Sequence, residues 1–165
     1  MKLSFAIATV ADARDIARLG TLTDRHLREK HGRDTAKCEV TETNVLTGLK
    51  NSRMLVARLQ GEIIAMLRLS TKRPWAIDPA YFTPLATPLY LTNMAVAPAW
   101  QRQGIGRQIL DEACVRAAKW PADAIRLDAY DHETGAGGFY AKCGWREVGR
   151  VTYRRTPLIY FEFVL

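Results

Sequence analysis

Residues Tyr90–Leu110, YLTNMAVAPAWQRQGIGRQIL, contain the pattern that decides the fold. Residues 90–97 form an apolar, partly alternating run that predicts a strand, and Pro98 ends it. A turn with two glycines follows, and the apolar side chains after the turn recur at helical spacing. The stretch therefore predicts a strand, a glycine-containing turn and a helix. The apolar stripe of this helix consists of Ile109, Leu110, Ala113, Cys114 and Ala117.

The predicted turn has the features of an anion site. Glycines let the backbone approach a ligand closely. The first N–H groups of a helix have no partner within the helix, and the macrodipole adds partial positive charge there. Both effects favour a phosphate group at this position. The alternative is a tight strand-to-helix turn that binds nothing.

The spacing of the glycines excludes two well-known phosphate-binding motifs. A Walker loop ends in Gly-Lys-Ser/Thr, whereas Arg107 follows Gly106 here. A dinucleotide fingerprint needs a third glycine at the position of Ile109. The remaining pattern, Gln101-x-x-Gly104-x-Gly106 directly after a strand ending in Ala-Val-Ala-Pro, resembles motif A of the GCN5-related N-acetyltransferases (GNAT). In that family motif A binds the pyrophosphate of acetyl-CoA.

A second motif supports the resemblance. Residues 137–145, GGFYAKCGW, are similar to motif B of the same family, in which an apolar residue and a tyrosine precede a glycine and an aromatic residue. The two motifs occur in the family's order and at family-like spacing. The resemblance is close over the C-terminal half of the chain and fits the first half in outline.

The resemblance implies one acetyltransferase domain over residues 1–165, of the mixed α/β (α+β) class. Its twisted, largely antiparallel sheet would have about six to seven strands flanked by about four helices. Two parallel strands, 89–97 and 125–130, would diverge at one end. Periodicity and turn signals predict the other elements: strand 3–8, a helix capped by Thr9 or Asp12, a loop at 31–37, a helix opening at Thr41, a hairpin of strands 54–59 and 63–69, a helix at 134–143, and strands 145–151 and 158–165.

The resemblance also assigns the cofactor site. Backbone groups at the end of the motif A strand would bind the pantetheine arm, and backbone N–H groups of the turn would hold the pyrophosphate. An N–H near Asn93 or Met94 would polarise the thioester carbonyl. The side chains of Arg102 and Arg107 would reach phosphates or remain in solvent. The cofactor-binding residues are Met94, Ala95, Val96, Gln101, Arg102, Gln103, Gly104, Ile105, Gly106 and Arg107.

Tyr140 of motif B is the candidate proton donor. The resemblance places its phenol where the thiolate of CoA leaves; the alternative is a core tyrosine with a satisfied hydroxyl. Many relatives have an asparagine seven residues before this tyrosine, where this chain has Glu133. Glu133 is our candidate for the general base, and three neighbouring side chains are the other options. These are Asp128, Asp131 and His132.

Residues 71–88 form a proline-rich connection that carries aromatic side chains. A long connection of this kind inside a compact domain is often functional. We therefore expect Trp75, Tyr81 and Phe82, together with Asn93, to bind the acceptor substrate. The alternative is that the aromatic side chains hold the loop against the sheet.

Composition limits the remaining classes. With 48% apolar and 25% charged residues, the 165-residue chain is typical of one soluble globular domain. Its net charge of +7 favours an anionic ligand, but the basic residues are scattered, which disfavours a nucleic-acid partner. The three cysteines (Cys38, Cys114 and Cys143) have no Cys-x-x-Cys spacing, which argues against a disulfide framework or a metal site and favours a reducing compartment. No apolar run has a membrane-spanning length.

The sequence therefore predicts a cytoplasmic, acetyl-CoA-dependent N-acetyltransferase that acts on a small-molecule or peptide amine, as a monomer or homodimer. Two alternatives stay open. One is a non-catalytic acyl-CoA-binding or sensor module on the same fold, which the Glu133 substitution favours. The other is a basic nucleic-acid-binding protein. The identity of the acceptor does not follow from the sequence.

Overall fold

Seven strands form one sheet in a computed structural model that describes residues 1–32 and 40–165. In chain order the elements are β1 (Ser4–Ile7), α1 (Ala13–His31), α2 (Glu42–Asn51), β2 (Arg53–Leu59), β3 (Glu62–Ser70), β4 (Pro88–Val96), α3 (Ile105–Lys119), β5 (Ala124–Tyr130), α4 (Gly137–Lys142), β6 (Arg146–Tyr153) and β7 (Thr156–Val164). The strand order is β1-β2-β3-β4-β5-β7-β6. β4 and β5 run parallel, whereas β1–β2, β2–β3, β5–β7 and β6–β7 are antiparallel. The predicted fold class is confirmed.

The chain divides into two compact units. The first unit comprises Met1–Leu69 and Thr92–Ala113, and the second comprises Ser70–Leu91 and Cys114–Leu165. The expectation of one domain over residues 1–165 stays a prediction.

In the first unit, β1, β2 and β3 form an antiparallel meander with α1 and α2. Gln60 and Gly61 connect β2 to β3 with φ values of 50° and 87°. Positive φ at both turn residues is what a type I′ hairpin turn requires, and its twist matches that of the strands. The predicted hairpin is confirmed. The core of this unit consists of fully buried aliphatic side chains, among them Ile16, Leu55, Val56, Ile64, Leu67 and Ile109.

The helices of the first unit begin where the capping residues predict. The Thr9 N–H donates to Asp12 Oδ2 at 2.9 Å, just ahead of α1. The Thr41 hydroxyl accepts the N–H of Asn44 at 3.1 Å and caps α2. Residues 33–39 lie outside the described part of the chain, so most of the predicted loop at 31–37, and Cys38, have no structural account.

In the second unit, β5 pairs with both β4 and β7, and β6 and β7 form a hairpin. A core cluster of Ile77, Phe82, Tyr90 and Tyr160 fixes the proline-rich connection to this unit. The Tyr81 ring packs directly on Gly149, where an added Cβ would lie 2.3 Å from the ring. Only glycine fits at that position of β6.

α4 is shorter than the predicted helix at 134–143. The Gly135 backbone lies so close to the Tyr130 carbonyl oxygen that an added Cβ would be 2.0 Å from it. The Thr134 N–H donates to His132 Nδ1 at 3.2 Å, and the Gly135 N–H donates to the His132 carbonyl at 2.9 Å. These contacts make residues 134–136 a turn, and the helix starts at Gly137. The other predicted strands are present, with ends that shift by about one or two residues.

Two further observations concern expectations from composition. Within residues 1–32 and 40–165, Cys114 and Cys143 form no disulfide. No helix in the same ranges is both long and apolar enough to cross a bilayer.

Candidate active site

The turn before α3 exposes the start of the helix. Arg102 and Gly104 both have positive φ values, 62° and 80°. The Gln108 N–H donates to the Gly104 carbonyl at 3.2 Å, so Gly104 is the last residue before the helix. The N–H groups of residues 105–107 are therefore the first-turn donors, for which an α-helix itself supplies no acceptor. A Cβ added at Gly104 would have no described heavy atom within 4 Å.

The two glutamine side chains of the motif hold the turn through hydrogen bonds to nearby backbone carbonyls. Gln101 Nε2 donates to the Val96 carbonyl at 3.0 Å, which ties the turn to the end of β4. Gln103 Nε2 donates to the Ala99 carbonyl at 3.1 Å. Both side chains thus position the backbone. The side chains of Arg102 and Arg107 are exposed, and Arg107 Nε lies 4.0 Å from Asp111 Oδ2.

The end of β4 departs from a regular strand at Asn93, whose φ is 53°. Asparagine tolerates this region better than most residues, and such outliers are frequent at functional sites. Met94, Ala95 and Val96 follow as half-buried residues. The start of β4 pairs with β5 over three residue pairs, from Pro88↔Ala124 to Tyr90↔Arg126.

Tyr140 lies in α4 of the second unit and is 6% exposed. Its ring packs against those of Trp145 and Phe161, with centroids 5.9 and 5.8 Å away. Burial raises the pKa of the Tyr140 hydroxyl, and the charges of Asp128 and Cys143 raise it further. The phenol therefore keeps its proton at neutral pH, as a proton donor must. The ring contacts are also those that the core-tyrosine alternative predicts.

The acidic candidates lie around the turn between β5 and α4. Glu133 is exposed in that turn. Asp131 forms an ion pair with Arg150 at 3.3 Å. The His132 ring stacks on Tyr130 with centroids 5.3 Å apart. Asp128 is half-buried. Of these four, Glu133 is the exposed carboxylate.

The aromatic residues predicted to bind the acceptor lie in the second unit and differ in exposure. Trp75 is 84% exposed. Tyr81 meets Tyr160 edge-on with centroids 5.5 Å apart. Phe82 is buried, and the Arg126 guanidinium carbon lies 4.9 Å from its ring centroid. The contacts of Tyr81 and Phe82 are those expected from the alternative, in which these side chains hold the loop against the sheet. A substrate role for the three residues stays a prediction.

The first unit contains a cavity of about 360 Å³. It is lined by residues of α1, α2, β2, β3 and β4, and Asn93 is the predicted substrate residue among them. Arg68 also lines it, and our sequence analysis missed this residue. The available signal was one charged residue within the apolar strand IIAMLRLS. Arg68 lines a cavity only because five elements meet around it, and a local sequence pattern does not predict that arrangement.

Comparisons with known proteins agree with this architecture. A family model described as "Acetyltransferase (GNAT) domain" matches residues 50–147. No curated protein matches the sequence significantly. Ribosomal-protein-alanine N-acetyltransferase from Brucella melitensis is 18% identical with a TM-score of 0.76, over 98% of this chain and 99% of that one. PaiA N-acetyltransferase from Thermoplasma acidophilum, in complex with coenzyme A, is 14% identical with a TM-score of 0.75, over 99% and 100%.

A GNAT family acetyltransferase from Elizabethkingia anophelis, with acetyl-CoA bound, is 19% identical with a TM-score of 0.65, over 99% of this chain and 98% of that one. At such identities the structures establish a common fold. The family model matches more than half of the sequence, including both motif A and motif B. Together with the fold, this match shows that the chain belongs to the GCN5-related N-acetyltransferase (GNAT) family.

Proposed function

We propose that this acetyltransferase uses acetyl-CoA and transfers the acetyl group directly to the amine of a small molecule or peptide. The observation that carries the proposal is the turn before α3, where first-turn N–H donors follow an open Gly104. Arg102 and Arg107 add two exposed positive charges beside it. This donor set suits a diphosphate. Two structures of the same fold hold coenzyme A or acetyl-CoA, which also supports the choice of cofactor.

The chain's own residues divide the work of binding. The backbone N–H groups of residues 105–107 hold the diphosphate, and Gln101 keeps the turn in place through Val96. Backbone groups of Met94, Ala95 and Val96 bind the pantetheine amides as an added strand would. Bound acetyl-CoA supplies an acyl group activated as a thioester. A backbone N–H near Asn93 or Met94 stabilises the charge that develops on the acyl oxygen.

Two side chains move protons in this proposal. Tyr140, which burial keeps protonated, donates its proton to the leaving thiolate. Glu133 takes the proton that the acceptor ammonium must lose before it attacks. We further propose that residues 1–165 act as one domain, as a monomer or homodimer, in the cytoplasm, since the cysteine pattern favours a reducing compartment.

The experiment is incubation with acetyl-CoA and a panel of amines, read by release of the CoA thiol. We expect amine-dependent thiol release and, by calorimetry, binding of CoA to the protein alone. Absence of CoA binding would contradict the proposal. Tight CoA binding without turnover on a broad panel would instead support the non-catalytic acyl-CoA-binding module.

A further inference from the structure

The cavity of the first unit has the size and lining of a small-molecule site. Its volume of about 360 Å³ lies within the range of about 300–1,000 Å³ that such sites occupy. Apolar side chains from α1, α2, β2 and β3 form much of its wall, including Ile16, Val45, Met54 and Met66. The described lining residues all belong to the first unit.

Arg68 is the exception in this wall. Its Nε atom is buried and has no hydrogen-bond partner in the part of the chain that the structure describes. Within residues 1–32 and 40–165, no hydrogen bond or ion pair to its side chain is found. Arg68 as a whole is half-buried, so the cost of an unpaired group falls on the buried Nε–H rather than on the whole cation. Gly48 faces the guanidinium, where an added Cβ would lie 3.5 Å from Nη1, and so no side chain of α2 covers the group at that point.

The other charged residue of the lining, Asp24, already has a charge partner of its own. Asp24 lines the cavity, but its carboxylate pairs with Arg28 at 2.8 Å on the same helix. The Thr23 hydroxyl also lies in the wall and donates to the Leu19 and Gly20 carbonyls, both at 3.0 Å. These groups have protein partners. Among residues 1–32 and 40–165, no side chain occupies the Arg68 guanidinium in this way.

We propose that Arg68 binds the carboxylate of the acceptor, which is a small amino acid-like amine with an apolar side chain. A planar guanidinium matches a carboxylate with two parallel hydrogen bonds. The apolar wall accommodates the side chain of the acceptor. Asn93, Met94 and Ala95 line the same cavity, so the acceptor amine faces the part of β4 to which we assign the thioester. This inference rests on the proposed function and specifies its substrate class.

The first test uses the unaltered protein and matched amines. Leucine, methionine and phenylalanine are each compared with their amide and with the corresponding decarboxylated amine. We expect kcat/KM to be at least about tenfold higher for the amino acids, the change that one good interaction of about 1.4 kcal/mol gives. Equal kcat/KM within each triplet would overturn the inference. A higher kcat/KM for an aminoalkyl phosphate would overturn the carboxylate assignment.

The second test replaces the cation. Arg68→Gln should lower kcat/KM for the amino acids by about tenfold or more, because it removes the charged partner of the acceptor carboxylate at a half-buried position. It should leave kcat/KM for the decarboxylated amines nearly unchanged. Arg68→Lys keeps the charge and loses the planar fork, so its kcat/KM for the amino acids should lie between the values for the unaltered protein and for Arg68→Gln. Arg18→Gln is the matched control, since Arg18 is exposed on α1 and does not line the cavity.

A binding measurement separates failure of this inference from failure of the proposed function. Calorimetry with leucine, methionine or phenylalanine alone needs no acetyl-CoA and no turnover. Amino-acid binding that Arg68→Gln abolishes and Arg18→Gln retains would support the inference even for an inactive protein. A different outcome is that Arg68→Gln lowers kcat/KM equally for the amino acid, its amide and its decarboxylated amine while turnover persists. That result would overturn the inference and leave the proposed acetyltransferase function standing.

Discussion

The Tyr140 hydroxyl sits on a side chain that is 6% exposed, and its surroundings decide whether it holds a proton. Burial opposes formation of a phenolate, and the negative charge of Asp128 opposes it further, so the pKa rises above its usual value of 10.0. The phenol is therefore a hydrogen-bond donor throughout the neutral and mildly alkaline range. Activity should show no loss from Tyr140 ionisation as the pH approaches 10.0.

Tyr140→Phe separates proton donation from packing, because it removes one oxygen and keeps the ring that contacts Trp145 and Phe161. We expect kcat to fall by about 100-fold, the lower end of what general acid catalysis contributes. The calorimetric Kd for CoA should stay within about twofold of the unaltered protein, since no pyrophosphate contact is assigned to this residue. Tyr153→Phe, also in the second unit, is the control. Unchanged kcat in Tyr140→Phe would make Tyr140 a core residue only.

Glu162 is the buried carboxylate that organises the second unit. Its Oε2 accepts from Arg126 Nε at 3.1 Å, and its Oε1 accepts from the Thr83 hydroxyl at 2.6 Å and from Arg146 at 2.9 Å. Burial alone would raise the pKa of Glu162, but the hydrogen bonds from Thr83, Arg146 and Arg126 outweigh it and lower the pKa. A lowered pKa means that Glu162 stabilises the fold above its unfolded pKa. This contribution is lost as the pH falls through the folded pKa.

Glu162→Gln should lower the free energy of unfolding by about 3–5 kcal/mol, because it leaves the buried Arg126 cation without its charged partner. It should also remove part of the stability loss that occurs as the pH falls below 4.5, the ordinary pKa of the glutamate side chain. Denaturant titrations at several pH values measure both effects. Glu147→Gln is the matched control, since Glu147 lies on the same hairpin in an exposed pair with Arg150. That variant should cost about 0–1 kcal/mol, and equal losses would contradict a structural role specific to Glu162.

At the level of elements, the turn before α3 can be tested with a pair of glycines. Gly104 and Gly61 have similar φ values, 80° and 87°, and in both cases no described heavy atom lies within 4 Å of an added Cβ. Alanine at either position should cost about 1–2 kcal/mol of backbone strain. Only Gly104→Ala should weaken CoA binding, because only Gly104 precedes the proposed diphosphate donors.

The measurements are unfolding by denaturant and CoA binding by calorimetry on both variants. We expect similar losses of unfolding free energy and a Kd for CoA that rises about tenfold or more in Gly104→Ala alone. If both variants kept the CoA affinity of the unaltered protein, the turn would be a connection without a ligand. That result would remove the observation on which the proposed function rests.

The elements also show which parts of the fold sequence patterns can predict. The strand, turn and helix around Gly104 follow from residues adjacent in sequence, and so does the hairpin at Gly61. The start of α4 does not, because the contact of Gly135 with the Tyr130 carbonyl is invisible to helical periodicity. The placement of Phe82 depends on contact with Tyr160, which is far from it in sequence. The role proposed for Arg68 follows from the cavity that surrounds it, which sequence patterns do not predict.

For the whole molecule, 24 basic and 17 acidic residues leave a net charge of +7, and part of the basic set is paired with carboxylates. Several arginines are paired with carboxylates within the described residues, including Arg28 with Asp24, Arg58 with Asp12 and Arg126 with Glu162. Such pairs cancel locally, and their field decays within a Debye length of about 8 Å at physiological ionic strength. A local anion site can therefore act without a basic surface that would hold nucleic acid.

This charge distribution predicts how binding responds to salt. The Kd for CoA should rise about tenfold between 0.05 and 0.5 M NaCl, since screening weakens contacts between exposed cations and phosphates. The Kd for pantetheine, which has no phosphate, should change little over the same range. A saturating CoA concentration of 100 times Kd should stabilise the fold by about 2.7 kcal/mol at low salt.

A mixed-sequence DNA duplex should not be retained at physiological salt, because few phosphates would be neutralised at once. A salt-independent Kd for CoA would contradict a diphosphate site at α3, and firm DNA retention would favour the nucleic-acid alternative.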